Sequence, residues 1–132
     1  MAEGHDRVSV AELLAEARAL LVRLTPAEAD AAVRGGALMV DIRPMEQRLR
    51  DGRLPDARVI SRNVLEWRLD PLCEDRDPDL ARTDRHLILI CNEGYQSSLA
   101  AATARRFGLL ATDVIGGVQS WLAEGLPLIR EW

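Results

Sequence analysis

The chain has 132 residues, the size of one compact domain. Hydrophobic residues make up 48% and charged residues 29%, so the chain can bury a core and does not have the composition of a disordered protein. The net charge of −4 argues against binding to nucleic acid or anionic membranes, and all 17 basic residues are arginine, which excludes Schiff-base chemistry through a lysine.

Targeting, disulfide and metal signals are missing from the sequence. No stretch reaches the roughly 20 apolar residues that a membrane-spanning helix needs. Residues 1–6 are polar and acidic, so we expect no secretory signal. The two cysteines, Cys73 and Cys91, are too few for a disulfide framework, which favours a reducing, cytoplasmic setting. The spacing of the histidines and cysteines fits no metal motif, so no metal site is expected.

Two predicted helices open the chain, and each begins at a capping box. Ser9 and Glu12 form the first box, and the apolar run 10–24 behind it predicts a helix of three to four turns. The sequence Thr-Pro-Ala-Glu at 25–28 repeats the signal, with proline at the first helical position. The second helix is therefore expected to be short and to end at the glycine pair 35–36.

Strands and helices alternate at short intervals in the rest of the chain. The most strand-like segment, 86–91, contains four aliphatic residues in a row, whereas 71–85 is rich in Asp, Pro and Arg and indicates an exposed loop or a short irregular helix. The predicted strands are 37–42, 58–60, 86–91 and 112–115, with a turn at 54–57, and the further predicted helices are 44–51, 63–69, 97–107 and 118–124.

This alternation predicts an α/β fold with a central parallel sheet and helices on both faces. Ligands in such sheets bind at the carboxyl ends of the strands, where Cys91 ends the segment 86–91. The loop 92–96 is short enough for its backbone N–H groups to point at the sulfur, and with the positive end of the next helix it forms an anion-binding nest. Such dipoles favour the nucleophilic thiolate. The alternative is that Cys91 is a small buried core residue.

The segment 91–97, Cys-Asn-Glu-Gly-Tyr-Gln-Ser, resembles the active-site loop of the rhodanese family of sulfurtransferases, with Gly and Ser three and six positions after the Cys. The resemblance covers roughly residues 24–128 and divides the chain into an N-terminal tail with an extra helix, 1–23, packed on a rhodanese-like domain, 24–132. The other similar motifs are Val-Asp-Ile-Arg-Pro at 40–44, Gly-Arg-Leu-Pro-Asp-Ala at 52–57, Gly-Gly-x-x-x-Trp at 116–121 and Gly-x-Pro at 125–127.

The resemblance implies that Cys91 attacks the outer sulfur of a donor such as thiosulfate, carries it as a persulfide and passes it to a thiol or cyanide. The loop N–H groups would stabilise the negative sulfur, as an oxyanion hole does for oxygen. No metal or organic cofactor is required. The partners would be a small sulfur-containing anion and a thiol acceptor, with no nucleic acid and no membrane, and oligomerisation is left open. The implied substrate-binding residues are Asn92, Glu93, Gly94, Tyr95, Gln96, Ser97, Arg43 and Arg62.

The loop departs from many active members of that family, which carry an arginine inside it, often at the position of Gln96. Here the loop has no arginine and Glu93 adds a negative charge, so the thiosulfate dianion would need cations from elsewhere. Phosphatases of the same fold use Cys-x5-Arg, and Ser97 in the last position argues against that activity. The candidate cations are Arg43, Arg53, Arg62 and Arg68, each of which is alternatively a solvated surface residue.

Two further functions stay open at this stage. The domain is either catalytically weak, acting as a binding or regulatory module, or it senses oxidants through a disulfide between Cys73 and Cys91. The predicted helix 9–22 is either a dimer contact or packs across the sheet.

Overall fold

The computed structural model describes residues 6–130 of the chain. Both N-terminal helices begin at the predicted capping boxes, because Ser9 and Thr25 each accept a hydrogen bond from the N–H three residues on and the glutamate there reaches back. The helices are α1 (Val10–Ala19), α2 (Pro26–Arg34), α3 (Met45–Asp51), α4 (Leu65–Leu69), α5 (Gln96–Arg106) and α6 (Gly117–Ala123); the strands are β1 (Leu38–Asp41), β2 (Arg58–Val59), β3 (His86–Ile90) and β4 (Leu110–Asp113).

The four strands form one parallel sheet in the order β2-β1-β3-β4. Asp41 of β1 pairs with Ile90 of β3, and Leu89 pairs with Asp113 of β4, so the carboxyl ends of the strands lie along one edge. The predicted parallel sheet is confirmed. Residues that follow β1 and β3 are therefore brought together at this edge.

Hydrophobic cores lie on both faces of the sheet, as predicted, because side chains alternate along each strand. Leu87 and Leu89 of β3 pack towards α4 and α5, whereas Ile88 and Ile90 pack towards α2 and α6. All four side chains are at most 2% exposed. Burial of each contributes about 1.5–3 kcal/mol relative to exposure.

The first helix is shorter than the sequence indicates. It ends at Ala19, not at residue 24, because Leu24 pairs with the continuation of β4: its N–H donates to the Asp113 carbonyl at 3.0 Å and its carbonyl accepts from Ile115 at 2.8 Å. Helix α1 itself packs against α5. The segment 6–24 is thus held to the domain both by a helix and by a β-bridge.

The predicted loop 71–85 is irregular as expected but is not exposed throughout. Leu80 is fully buried and Ala81 is 7% exposed, because the N–H groups of both donate to Asp77 in a tight turn that directs them into the core. Among residues 6–130 no helix is long and apolar enough to cross a membrane. One of the two inner strands, β3, leads directly to the candidate site.

Candidate functional site

Cys91 follows the last residue of β3, between that strand and the start of α5 at Gln96. The thiol is 7% exposed and lines a cavity of about 280 Å³ at the carboxyl edge of the sheet. The cavity is bounded by the ends of β1 and β3, by the start of α3 and by the loop before α5. Its lining residues are Ile42, Arg43, Pro44, Gln47, Cys91, Asn92, Glu93, Tyr95 and Gln96.

Two backbone amides of the loop point at the sulfur. The N–H of Gly94 donates to Sγ of Cys91 at 3.2 Å, and the N–H of Ser97 donates at 3.3 Å. Both donors are buried, and Ser97 lies in the first turn of α5. The arrangement can stabilise negative charge on this sulfur, or on a sulfur attached to it, without a histidine.

The loop adopts this path because glycines allow two backbones to approach closely. Gly94 has a φ of +86°, and a Cβ there would lie 2.7 Å from the backbone nitrogen of Gly116. A Cβ on Gly117 would lie 2.5 Å from the carbonyl oxygen of Cys91. The N–H of Val118 then donates to this same oxygen at 2.9 Å. The glycine pair 116–117 at the start of α6 therefore packs directly against the cysteine loop.

A buried carboxylate supports the loop from β4. Asp113 is fully buried and accepts hydrogen bonds from the hydroxyls of Ser97 at 2.7 Å and Ser98 at 2.8 Å. Its charge is balanced by Arg23, whose Nε lies 2.9 Å away. The carbonyl of Gly94 accepts from both Arg23 and Arg18, at 3.0 and 2.8 Å.

Sequence reasoning missed these supporting groups. The one available signal was a charged residue, Asp113, inside a predicted strand; nothing in the local sequence connects Arg18 or Arg23 with a loop more than 70 residues away. The structure brings them together because α1 packs on α5 and Leu24 pairs beside β4.

The proposed arginine ligands are not free cations facing the sulfur. Arg43 lines the cavity, but its guanidinium is 0% exposed and bound to Asp41, 2.8 Å away, and to the carbonyl of Gly52. Arg62 is absent from the cavity lining, and its guanidinium pairs with Glu66 at 2.8 Å. In both cases a carboxylate nearby in the sequence binds the guanidinium and balances its charge.

The remaining arginine candidates also lie elsewhere. Arg53 forms a β-bridge with Ile129, and Arg68 donates to the carbonyl of Asp75 at 2.9 Å. Neither lines the cavity of Cys91. The residues predicted from the cysteine loop do lie around the sulfur, with Gly94 and Ser97 as donors and the others in the cavity wall.

A polar cluster holds the outer side of the loop. The amide of Gln119 donates to Asn92 at 2.9 Å and to Asp51 at 3.1 Å, and Arg50 bonds to Asp51 and reaches Asn92 at 3.3 Å. The hydrogen bond from Arg50, with a smaller contribution from Gln119, holds the pKa of Asp51 below its ordinary value. The bond to Asp51 and the nearby charge of Glu93 raise the pKa of Arg50. The cluster joins α3, the loop and α6.

Two other features bear on alternative sites. A larger cavity of about 650 Å³ lies at the amino ends of β3 and β4, beside His86 and Leu110, and its lining contains no cysteine. Cys73 and Cys91 are both free thiols in the structure. Of these two cavities, the smaller one contains a cysteine.

Comparison with known proteins matches residues 25–124 to the family described as rhodanese-like domain. A protein of unknown function from Rhodopseudomonas palustris, described as a possible tyrosine phosphatase, is 31% identical; the alignment covers 92% of this chain and 95% of that one, with a TM-score of 0.85. No curated protein sequence matches the chain at a significant level.

Two more distant structures share the fold. A rhodanese-related protein from Thermoplasma volcanium is 23% identical over 83% of this chain and 98% of its own, with a TM-score of 0.67. A polysulfide-sulfur transferase homodimer from Wolinella succinogenes is 23% identical over 88% of this chain and 83% of its own, with a TM-score of 0.66. At this identity the likeness concerns the fold and not the substrate.

Proposed function

The chain belongs to the rhodanese-like domain family, and from that premise we propose that it is a sulfurtransferase that carries sulfane sulfur as a persulfide on Cys91. The observation that carries the proposal is the pair of buried amides, from Gly94 and Ser97, aimed at a sulfur that lines a cavity. A core cysteine without chemistry has no need of two N–H donors and a cavity. Residues 24–132 form the catalytic domain in this proposal, and a reducing compartment such as the cytoplasm suits its free thiol.

In the first step the thiolate of Cys91 attacks the outer sulfur of thiosulfate. The new bond joins Sγ to that sulfur, the bond between the two thiosulfate sulfurs breaks, and sulfite leaves with its electron pair. The persulfide then carries negative charge on its terminal sulfur. The N–H groups of Gly94 and Ser97 are preorganised donors for negative sulfur at this end of the sheet.

In the second step a thiolate acceptor, or cyanide, attacks the terminal sulfur. The bond between the two persulfide sulfurs breaks, and Cys91 regains its electron pair as a thiolate. The product is a persulfide of the acceptor, or thiocyanate. Asn92, Glu93, Tyr95 and Gln96 form the wall past which donor and acceptor reach the sulfur.

The decisive experiment is mass spectrometry of the intact protein after treatment with thiosulfate. Wild type and Cys73→Ser should each gain one sulfur atom, and Cys91→Ser should gain none. Addition of cyanide should remove the sulfur and release one equivalent of thiocyanate. If Cys91→Ser gains sulfur as wild type does, another residue carries the sulfur and the proposal fails. If wild type gains none from thiosulfate or from a polysulfide, the proposal also fails and the binding-module alternative is favoured.

Phosphatase activity is not supported as a second function. Ser97 stands where a Cys-x5-Arg enzyme has its arginine, and its hydroxyl donates to Asp113 at 2.7 Å. A neutral hydroxyl that is already bound cannot balance the charge of a transferring phosphoryl group. Hydrolysis of p-nitrophenyl phosphate by wild type that is lost in Cys91→Ser would reverse this conclusion.

A further inference from the structure

Two arginines from outside the matched domain reach the cysteine loop. Arg18 lies in the last turn of α1 and Arg23 follows that helix, and both precede residue 25, where the family match begins. Their guanidinium groups donate to one carbonyl oxygen, that of Gly94, at 2.8 and 3.0 Å. The hydroxyl of Ser98 lies beside them, where it accepts from Nε of Arg18 at 3.1 Å and donates to Asp113 at 2.8 Å.

This clamp fixes the orientation of the peptide that links Gly94 to Tyr95. The described residues contain no cis peptide bond, so the N–H of Tyr95 points away from the arginines when the Gly94 carbonyl points towards them. Glycine gives this peptide more freedom to rotate than another residue would. Rotation of this peptide would move the Gly94 carbonyl oxygen. It would also disturb the neighbouring N–H of Gly94, which donates to Sγ of Cys91. The clamp opposes that rotation.

Arg18 also supplies positive charge that the loop lacks. The charge of Arg23 is balanced by its bidentate contact with the buried Asp113, at 2.9 and 3.2 Å. Arg18 has no carboxylate within salt-bridge distance among residues 6–130; its Nε donates to Ser98 at 3.1 Å. It also lies over the ring of Tyr95, 5.7 Å from the centroid, and Tyr95 is part of the cavity wall.

We propose that Arg18 is a positioning residue of the sulfur-transfer site, which orients the cysteine loop through Gly94 and favours an anionic sulfur donor over a neutral one. Arg23 is the second arm of the clamp. This inference rests on the proposed function and deepens it, because it names the residue that would favour anionic donors such as thiosulfate. It also gives the N-terminal helix a role at the site, because that helix supplies a side chain that holds the cysteine loop.

The test compares alkylation of Cys91 by negatively charged iodoacetate and by neutral iodoacetamide. The thiolate population affects both reagents equally, so the ratio of the two rates reports attraction of an anion. Cys73 does not interfere, because it lies on a different tryptic peptide from Cys91. Arg18→Gln should lower the ratio about threefold at low salt, and Arg18→Lys should restore it.

Arg106→Gln is the matched control, since it removes the same charge from the far end of α5, about 15 Å along the helix. It should leave the ratio at the wild-type value. Arg18→Met, which keeps an apolar stem against α5, gives a second charge-removing variant if Arg18→Gln does not fold. An unchanged ratio in the folded Arg18 variant, or an equal fall in Arg106→Gln, would overturn the inference.

Steady-state kinetics then separate this inference from the proposed function. Arg18→Gln should raise KM for thiosulfate about threefold, in step with the alkylation ratio, with a smaller change in kcat. If the wild-type protein is active and Arg18→Gln has the same KM for thiosulfate, the proposed preference for anionic donors is wrong and the proposed function is unaffected. The wild-type protein could also transfer no sulfur while the alkylation ratio is still lower in Arg18→Gln than in wild type. That result would contradict the sulfurtransferase proposal but support the role of Arg18 in attracting anions.

Discussion

Asp41 and Arg43, two residues apart at the end of β1, form an ion pair with an N–O distance of 2.8 Å and with side chains only 1% and 0% exposed. The Arg43 backbone N–H donates to the same carboxylate, and its guanidinium donates to the carbonyl of Gly52 beyond α3. The pair therefore ties the end of β1 to the carboxyl end of α3, the helix that borders the cavity. The buried pair holds this wall of the cavity in place.

Replacement of Arg43 by methionine should destabilise the protein strongly, because it leaves the Asp41 carboxylate buried without its partner. We expect a loss of about 3–5 kcal/mol in the free energy of unfolding, measured by urea titration. Arg58→Met is the control, since the pair of Arg58 with Asp77 is 40% and 20% exposed and should contribute about 1 kcal/mol or less. Equal losses in the two variants would contradict a structural role for Arg43.

Replacement of Gly94 by alanine should disable the site. The alanine would have to adopt a φ of +86°, and its Cβ would lie 2.7 Å from the backbone nitrogen of Gly116. The loop must therefore shift, and the N–H of residue 94 that donates to Cys91 must move with it. Loss of one such donor predicts a fall of about 100-fold in the rate of persulfide formation. The measurement is the rate of sulfur uptake from thiosulfate by mass spectrometry.

Gly125→Ala is the matched control for that variant. Gly125 also has a positive φ, +73°, but nothing lies within 4 Å of a Cβ built there. It should lose about 1–2 kcal/mol of stability from backbone strain and keep the rate of sulfur uptake. If both alanine variants take up sulfur at the wild-type rate, the close packing of the loop is not what positions its amides.

Introduction of an arginine at position 96 should improve the use of thiosulfate. Gln96 lines the cavity at the start of α5, and the cavity has no free cation because the guanidinium of Arg43 is buried in its own pair. A charge-assisted hydrogen bond contributes about 1.5–3 kcal/mol, so KM should fall about tenfold in Gln96→Arg. Gln96→Met, similar in length and uncharged, should not lower KM. An unchanged or higher KM in Gln96→Arg would show that anion binding does not limit the proposed sulfur transfer.

The cluster around Asp51 should give a small, pH-dependent contribution to stability. Because the hydrogen bond from Arg50 lowers the pKa of Asp51 in the folded protein, the contribution is present above the ordinary carboxyl pKa and is lost as pH falls through the lower folded value. Thermal unfolding should show wild type more stable than Asp51→Asn by up to about 1 kcal/mol near neutral pH. The stability difference between wild type and Asp51→Asn should vanish in strong acid. A stability difference that does not change with pH would show that it comes from packing and not from the charge of Asp51.

Local signals in the sequence predicted most of the helices and strands and pointed to Cys91, because these features depend on residues close together in the chain. Capping boxes at Ser9 and Thr25 set helix starts, and the aliphatic run before Cys91 set the central strand. Which arginine side chains contact the cysteine loop, in contrast, follows from the tertiary structure. Arg43 lies beside the cavity but turns to Asp41, whereas Arg18 reaches Gly94 from 76 positions away. Such contacts depend on how helices pack on a sheet, and no local pattern of residues encodes that packing.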